Sequence, residues 1–457
     1  MAKKDVYIQG DVNILTFRKN LVIGLMLFAL FLGAGNIIFP PALGQLAGEN
    51  LVVAMVGFLI TGVGLPLLAV LAIANSNIDG DGGLRSIASR VNPAFGIIFT
   101  MIVYMAIGPF FGIPRTATVS YEIGIIPFLS EEAAQSQWPL LIFTIVFFAI
   151  TVALALNPAK LVDRIGKILT PILFIIIGAL VIKSFVSPMG EIGQAQGDYI
   201  HHPFFRSFVE GYLTMDVIAA LIFGIIIINT LSAQGIKGKQ ETFKATLIAG
   251  LIAAIGLTFV YVSLGFIGAT SVDAIGIQDN GGAILALAST VLYGDAGTII
   301  LALTIIFACL TTSIGLVSAC AQFFDETFPK FSYKTYVLIF AGFSTVIGNF
   351  GLTQLINISL PILMMIYPLA IVLMLLSFVD KAFNRAPIVY ILSLAFTAVI
   401  SVVEGFNTAG FELKAVTDVL KHLPLYEQQI GWLLPAIVGL VIGVIIHSFQ
   451  KKQPTKA

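Results

Sequence analysis

The chain is dominated by apolar runs of about 18 to 30 residues, which short polar segments separate. A run of that length with few charges is long enough to cross a bilayer as a helix. The pattern therefore predicts an all-α polytopic membrane protein. The twelve predicted spans lie at about 20–46, 51–75, 94–128, 138–156, 167–187, 206–230, 244–269, 295–325, 335–350, 352–379, 386–405 and 430–449. A further apolar stretch, Gly281 to Gly294, is short and can lie as a lid over the outer surface.

Composition supports this class of protein. Hydrophobic residues make up 58% of the chain, charged residues 11%, and the mean hydropathy is +1.01, which excludes a water-soluble globule. If the N-terminus is cytoplasmic, 19 of the 24 Lys and Arg residues fall in the inner segments, so the positive-inside rule places both termini in the cytoplasm. The apolar composition makes a lipid bilayer the expected surrounding. The net charge is zero and there is no basic or acidic tract, so no nucleic-acid partner is expected.

The first span is interrupted near its midpoint by the sequence LFLGAGNIIFPPALG, residues 30–44. Its two central glycines favour an unwound segment, because glycine accepts positive φ and leaves the backbone accessible. Pro40 and Pro41 lack amide donors, which is tolerable in the first turn of a second half-helix that begins near Ile37. A kink made only for packing explains the same residues. An unwound segment at this depth must be buried in protein or line a polar cavity.

The sixth span has a matching interruption in EGYLTMDVIAALIFG, residues 210–224, with Thr214 and Asp216 near its midpoint. Ionisable residues at that depth are costly and usually mark a pathway or a site. The alternative is that Thr214 or Asp216 only caps a half-helix. That alternative still requires a helix to begin inside the membrane.

Spans 1 and 6 each begin a set of five spans, and the two sets have opposite orientation. The predicted organisation is a cytoplasmic segment 1–19, two inverted repeats at 20–187 and 188–379, two additional helices at 380–450 and a cytoplasmic tail 451–457. Interrupted helices at matching positions of inverted halves indicate the binding site of a secondary transporter.

The direction of each half-helix predicts its ligand. The carbonyl end of the first half of span 1 can ligate a cation, and the amide end of the second half suits a carboxylate. The carbonyl end of the first half of span 6, near Tyr212 and Leu213, can accept an ammonium group. A zwitterionic amino acid fits this arrangement.

Span 8 carries Thr311, Thr312 and Ser313 near its midpoint. Hard cations such as Na⁺ prefer several oxygen ligands, and adjacent hydroxyls beside a carbonyl supply them. Alternatively, these side chains bond only to the backbone of their own helix.

Other polar residues in the spans have weaker interpretations. Arg115 and Glu122 of span 3 share a helical face, which predicts a structural or gating ion pair between them. The alternative is an ion pair between Arg115 and Asp216. Either ion pair is favoured over a direct contact of Arg115 with the substrate. Glu404, at the end of span 11, is expected to be solvated. The spans hold no buried histidine, which favours Na⁺ over H⁺, while Asp216 and Glu122 keep a proton mechanism open.

No catalytic motif is present, so an enzyme is not predicted. A channel is disfavoured, because the polar residues cluster at one depth instead of forming a continuous stripe.

The motifs GAGNIIFPPALG, PRTATVSYE and EGYLTMD resemble those of the bacterial branched-chain amino acid:cation symporters, the BrnQ-type carriers. The resemblance covers essentially the whole chain and implies the LeuT-type fold, a 5+5 inverted repeat with broken helices 1 and 6. It implies uptake of Leu, Ile and Val with Na⁺ across the bacterial plasma membrane, with no cofactor besides the coupling ion. A proton-coupled carrier of other neutral amino acids is the alternative.

The resemblance also implies a set of site residues. The amides of Gly33 and Gly35 would face the substrate carboxylate. The predicted substrate-binding residues are Gly33, Ala34, Gly35, Asn36, Tyr212, Leu213, Thr214 and Asp216. The implied Na⁺ ligands are the carbonyls of Ala29, Leu32 and Ala308 and the hydroxyls of Thr311 and Thr312. Asp216 departs from the pattern, since many relatives are neutral there.

Overall fold

All regular secondary structure is helical in the part of the chain that the computed structural model describes, which comprises residues 17–76, 83–156, 161–236, 238–411 and 413–452. The bulk of the predicted N-terminal segment (1–16) and the end of the predicted tail (453–457) lie outside these ranges. The helices are α1 (Phe17–Phe31), α2 (Ala34–Ala47), α3 (Leu51–Leu59), α4 (Leu65–Ser76), α5 (Leu84–Ala88), α6 (Pro93–Met105), α7 (Gly112–Gly124), α8 (Glu131–Gln135), α9 (Gln137–Ala155), α10 (Leu161–Val186), α11 (Pro203–Glu210), α12 (Asp216–Ala233), α13 (Lys239–Ala269), α14 (Val272–Ile275), α15 (Gly281–Thr327), α16 (Tyr333–Gly348), α17 (Leu352–Val379), α18 (Pro387–Thr408), α19 (Lys414–Leu420) and α20 (Leu433–Lys452).

Every predicted span falls on one or more of these helices. By length and composition, nine stretches of the described residues can cross a membrane. Shorter apolar helices at Lys19–Phe31 and Ile175–Val186 lie below that length. The chain is a multi-pass membrane protein. The count of twelve spans, the two inverted repeats and the domain boundaries stay predictions.

Large apolar side chains cover the outside of the molecule. Ile255 is 71% exposed, Val346 65% and Ile142 60%. In water such a surface would be unfavourable, but in a bilayer it faces acyl chains, while the helices satisfy their own backbone groups.

The first span is interrupted over only two residues, Leu32 and Gly33, between α1 and α2. The expected start of the second half near Ile37 is wrong, since α2 begins at Ala34. The physical reason is the Asn36 side chain, whose Oδ1 accepts a hydrogen bond from the Gly33 amide at 3.0 Å and closes the first turn early.

The two prolines consequently lie inside α2 and not in its first turn. Pro40 and Pro41 cannot donate to the carbonyls of Asn36 and Ile37, which a regular helix would require. All four residues are buried, so the lost hydrogen bonds are tolerated inside protein and not in lipid.

The sixth span is interrupted over residues 211–215. A short 3-10 turn (Gly211–Thr214) follows α11, and Met215 adopts a left-handed conformation with φ of 62° before α12 begins. The Thr214 hydroxyl donates to the Gly211 carbonyl at 2.8 Å and accepts from the Asp216 amide at 3.4 Å. The cap position is occupied by Met215, so the capping role considered for Asp216 is wrong.

Helix α2 is held at very short range by its neighbours. A Cβ atom added to Gly268 of α13 would lie 2.0 Å from the Pro41 carbonyl oxygen, and one on Gly281 would lie 1.6 Å from that of Ile38. Small residues allow this approach of backbones, which is the usual way in which membrane helices pack. The stretch from Gly281 continues into the rest of α15 through a kink at Gly294, where φ is 64°.

We expect Gly268→Ala to lower the free energy of unfolding by about 1–3 kcal/mol, because the new methyl group would collide with the α2 backbone. The measurement is denaturant titration of the purified protein in mixed micelles. Gly342→Ala in α16 is the matched control, since nothing lies within 4 Å of a Cβ at that position. Equal effects of the two substitutions would contradict the close α2–α13 contact.

Candidate functional site

A narrow cavity with a volume of about 50 Å³ lies where the two interruptions meet. Its polar and small lining residues are Gly33, Ala34, Gly35, Asn36, Gly112, Arg115, Thr116, Thr214, Asp216 and Thr312. Its apolar lining residues are Leu30, Phe31, Ile107, Met215, Ala219, Phe223 and Leu316. The structure thus brings together six of the eight residues predicted to bind substrate. Their use in binding stays a prediction.

The start of α2 presents unpaired backbone amides. The first-turn amides of a helix have no acceptor within it, so those of Ala34 and Gly35 carry the positive end of the helix dipole. The Gly33 amide is already used, since it donates to Phe31 at 2.7 Å and to Asn36 at 3.0 Å. The expectation that Gly33 offers its amide to a substrate carboxylate does not fit this arrangement. The Asn36 side chain already accepts the hydrogen bond that the carboxylate would accept.

Arg115 adds a full positive charge beside these amides. It is 1% exposed, and a Cβ atom on Gly35 would lie 3.4 Å from its Nη1. The guanidinium donates to the Leu213 carbonyl at 2.5 Å and to the Ser359 hydroxyl at 3.2 Å, and its centre lies 5.1 Å from the centroid of the Phe39 ring. Its Nε makes no hydrogen bond.

The ion pairs predicted for Arg115 are wrong. Among the described residues no carboxylate lies within ion-pair distance of it, and Glu122 instead accepts a hydrogen bond from Asn280 at 3.1 Å. The kink at Gly108 and Pro109 breaks span 3 ahead of α7, and helix packing turns Arg115 towards span 6. A buried cation without an acidic partner marks a position where an anion is favoured.

The two carbonyls proposed for an ammonium group already have donors. The Met215 amide donates to Tyr212 at 3.0 Å, and Arg115 donates to Leu213. The Tyr212 ring stacks on Tyr367 with the centroids 4.6 Å apart, outside the cavity lining. The turn of span 6, which the sequence pattern does not predict, bonds the Tyr212 carbonyl locally, whereas the Leu213 carbonyl is bonded by Arg115 of α7.

Asp216 forms the negative side of the cavity. Asn36 Nδ2 donates to its two carboxylate oxygens at 2.9 and 2.8 Å, and the Tyr261 hydroxyl donates to Oδ2 at 2.6 Å. Asn36 and Tyr261 also contact each other directly. All three side chains are at most 2% exposed. The cluster therefore joins α2, α12 and α13 through one carboxylate.

Three oxygen atoms gather on α15 at the predicted cation position. The hydroxyls of Thr311 and Thr312 donate to the Ala308 carbonyl at 2.8 and 3.0 Å, which is the backbone-bonding alternative. The Gly33 amide donates to Phe31, so the Ala29 carbonyl lacks the donor that an unbroken helix would give it. Of the predicted Na⁺ ligands, Ala29 and Leu32 lie at the break of span 1, and Thr312 lies beside it, since a Cβ atom on Gly33 would be 3.7 Å from the Thr312 methyl carbon. Their role as ligands stays a prediction.

Glu404 differs from expectation. Its side chain is only 5% exposed, and the prediction that it is solvated is wrong. The segment that follows α19 folds back over the end of α18 and covers it, with Gly431 beside the carboxylate. Hydrophobicity alone could not predict this covering.

Two helices interrupted at one buried polar cavity define a membrane transport protein, and solved structures share this fold. The chain is similar to Mhp1, a nucleobase-cation-symport-1 family transporter solved in a closed conformation with bromovinylhydantoin bound, with a TM-score of 0.63, 14% identity and coverage of 96% of this chain and 94% of that one. It is also similar to MhsT in complex with L-phenylalanine, with a TM-score of 0.51, 14% identity and coverage of 93% and 98%. Both are transporters of the LeuT-type fold.

The sequence relatives of this chain define a narrower group than the shared fold does. The branched-chain amino acid transport protein family matches residues 16–450, and the chain belongs to it. It is 50% identical over 436 residues to the branched-chain amino acid permease BraB of Bacillus subtilis, covering 95% of this chain and 97% of that protein. It is 44% identical over 425 residues to the branched-chain amino acid transport system 2 carrier protein of Pseudomonas aeruginosa, covering 93% and 95%. The protein is therefore a transport protein and not an enzyme.

We expect Tyr261→Phe to lower the free energy of unfolding by about 1.5–3 kcal/mol, because a buried carboxylate loses a donor. The control is Tyr336→Phe, which removes a neutral hydrogen bond to the Phe328 carbonyl and should cost about 0.5–1.5 kcal/mol. Denaturant titration of both variants provides the comparison. A smaller loss for Tyr261→Phe than for Tyr336→Phe would contradict the Asp216 cluster.

Proposed function

We propose that the protein is a secondary active symporter that imports Leu, Ile and Val across the plasma membrane together with Na⁺, with both termini in the cytoplasm. One observation carries the proposal. A single cavity is lined by the first turn of α2 with its amides, by Arg115 and by the Asp216 carboxylate. A zwitterion is the simplest solute that complements both charges at once.

In the proposed complex the substrate carboxylate faces the amides of Ala34 and Gly35, with Arg115 beside them. The ammonium group faces Asp216, since the carbonyls of Tyr212 and Leu213 already accept hydrogen bonds. Each charged group of the solute loses its hydration water on binding and gains a fixed opposite charge of the protein in its place. The buried ionic groups of the protein gain the partners that they lack.

The substrate side chain faces the apolar part of the cavity, which includes Leu30, Ile107, Phe223 and Leu316. This wall has no polar group to hydrogen-bond a hydroxyl or an amide side chain. A pocket of this kind discriminates by about 1–3 kcal/mol per methylene, which favours branched aliphatic side chains over alanine and separates Leu, Ile and Val only weakly. The names of the relatives agree with this substrate class.

For Na⁺, the donor set is chemically suitable. A backbone carbonyl and two hydroxyls lie together on α15, and Thr312 lies beside Gly33 at the break that frees the Ala29 carbonyl. Hard monovalent cations prefer neutral oxygen ligands of this kind. The threonine hydroxyls would exchange their bond to Ala308 for a bond to the ion. The positive ion would also offset the negative end of α1.

The distribution of these groups suggests how transport is coupled. Asp216, Asn36 and Tyr261 link α2, α12 and α13, which with α4 form one packed bundle, whereas Arg115 and Thr312 lie on α7 and α15. Substrate and ion would therefore bridge two bodies. Rocking of the bundle against α7 and α15 would expose the same cavity to each side of the membrane in turn.

The direct test is uptake of labelled leucine into proteoliposomes with and without an inward Na⁺ gradient. We expect accumulation only with the gradient, competed by isoleucine and valine. Equal accumulation without Na⁺ would refute the coupling ion, and the absence of any uptake would refute the substrate.

For the ion site, we expect Thr312→Ala to raise the Na⁺ concentration for half-maximal uptake about tenfold, the equivalent of one lost charge-assisted oxygen contact of about 1.4 kcal/mol. Maximal leucine binding at saturating Na⁺ should change less. Thr304→Ala is the matched control, since Thr304 lies on the same helix and bonds to the Ile300 carbonyl away from the cavity. An unchanged Na⁺ dependence in Thr312→Ala would remove this residue from the site.

A further inference from the structure

A second buried polar cluster lies outside the substrate cavity. Glu404 of α18 is 5% exposed, Tyr212 of the span 6 turn 0%, and Trp432 ahead of α20 2%. Both carboxylate oxygens of Glu404, the Tyr212 hydroxyl and the Trp432 indole nitrogen are buried and make no hydrogen bond. Glu404 acts electrostatically on Tyr212, and Trp432 lies beside the same hydroxyl. We refer to Glu404, Tyr212 and Trp432 as the Glu404 cluster.

No cation offsets Glu404 among the described residues around it. The only titratable side chain of α17 is Tyr367, which stacks on Tyr212. The covering segment contributes Tyr426, whereas Lys421 and His422 are exposed and Lys421 pairs with Asp418.

The remaining elements around α18 add no compensating charge. The ionisable residues of α19, Lys414 and Asp418, are exposed, and those of α20 lie in its last two turns, at 447–452. The Gly431 backbone lies beside the carboxylate, but neither Glu404 oxygen makes a hydrogen bond.

An ionised carboxylate in these surroundings would lack both water and a partner, which is strongly unfavourable. A proton removes the charge and turns one carboxyl oxygen into a donor, for which the Tyr212 hydroxyl can be the acceptor. The Trp432 indole N–H can then donate to the Tyr212 hydroxyl, beside which it lies. We propose that the Glu404 cluster is a proton-binding site, with Glu404 protonated in the conformation described here.

The site is connected to the cavity by one short segment. Tyr212 belongs to the 3-10 turn Gly211–Thr214, and the next residue, Leu213, accepts the hydrogen bond of Arg115. A movement that opens the cavity at this turn would also shift Tyr212 and admit water to Glu404. The proton therefore stabilises the arrangement of span 6 described here, whatever ion drives transport. Only this consequence for transport rests on the proposed function.

The primary test is infrared difference spectroscopy of the purified full-length protein in lipid. We expect a C=O stretch of a protonated carboxyl near neutral pH that is absent in Glu404→Gln. Glu122→Gln is the matched control and should retain the band, because Glu122 has a hydrogen-bond donor in Asn280. Glutamine mimics the neutral acid, so Glu404→Gln should fold.

Tyr212→Phe gives a second measurement that leaves the carboxyl in place. It removes the proposed acceptor and should shift the frequency of the Glu404 band, whereas Tyr336→Phe should not. Identical bands in the wild type and Glu404→Gln would overturn the proposal. A carboxylate band that responds to Na⁺ and not to pH would overturn it in favour of a bound cation.

The consequence for transport is tested separately by leucine uptake as a function of pH at saturating Na⁺. We expect Glu404→Gln to take up leucine with a flatter pH dependence than the wild type. An unchanged pH profile would refute the link to span 6. Absence of leucine uptake in the wild type would refute the proposed function and leave the infrared result unaffected.

Discussion

The structure depends on one constraint, which is that a lipid bilayer offers no water to an interrupted helix. Each break must therefore satisfy its backbone groups inside the protein. At Gly33 the Asn36 side chain accepts the amide, and at Leu213 the Arg115 guanidinium donates to the carbonyl. The amides of Ala34 and Gly35 lie in the first turn of α2, where a helix has no acceptor of its own, and both residues line the cavity. The break thus leaves backbone donors at the place where the proposed binding site lies.

The two opposite charges that line the cavity are kept apart and do not neutralise each other. Arg115 and Asp216 line the same cavity, yet each is held by neutral partners, respectively the Leu213 carbonyl with Ser359 and the side chains of Asn36 and Tyr261. A direct ion pair would occupy both charges. In the proposed complex, the separation leaves both charges available for a ligand that carries both signs.

Sequence patterns predicted much of the site because local rules govern it. Glycine and asparagine at a mid-membrane break, and an acidic residue in span 6, identified Gly33 to Asn36, Thr214 and Asp216, all of which line the cavity. Tyr261 was missed, since it lies 45 residues from Asp216 and no spacing connects them. The burial of Glu404 was missed because a distant segment folds over it. The partner of Arg115 was missed because a kink in span 3 decides its direction.

The sequence by itself determined that the protein is helical, that it crosses the membrane repeatedly and where spans 1 and 6 break, because hydrophobic length and backbone chemistry act locally. Only the tertiary structure decided which groups meet. Helix α2 begins three residues earlier than predicted, and Asn36 in its first turn bonds to Asp216. Tyr212 lies towards Glu404. Arg115 donates to the Leu213 carbonyl, which was predicted to accept an ammonium group. These outcomes depend on contacts between residues that are far apart in the chain, and a pattern along one chain contains no information on such distances.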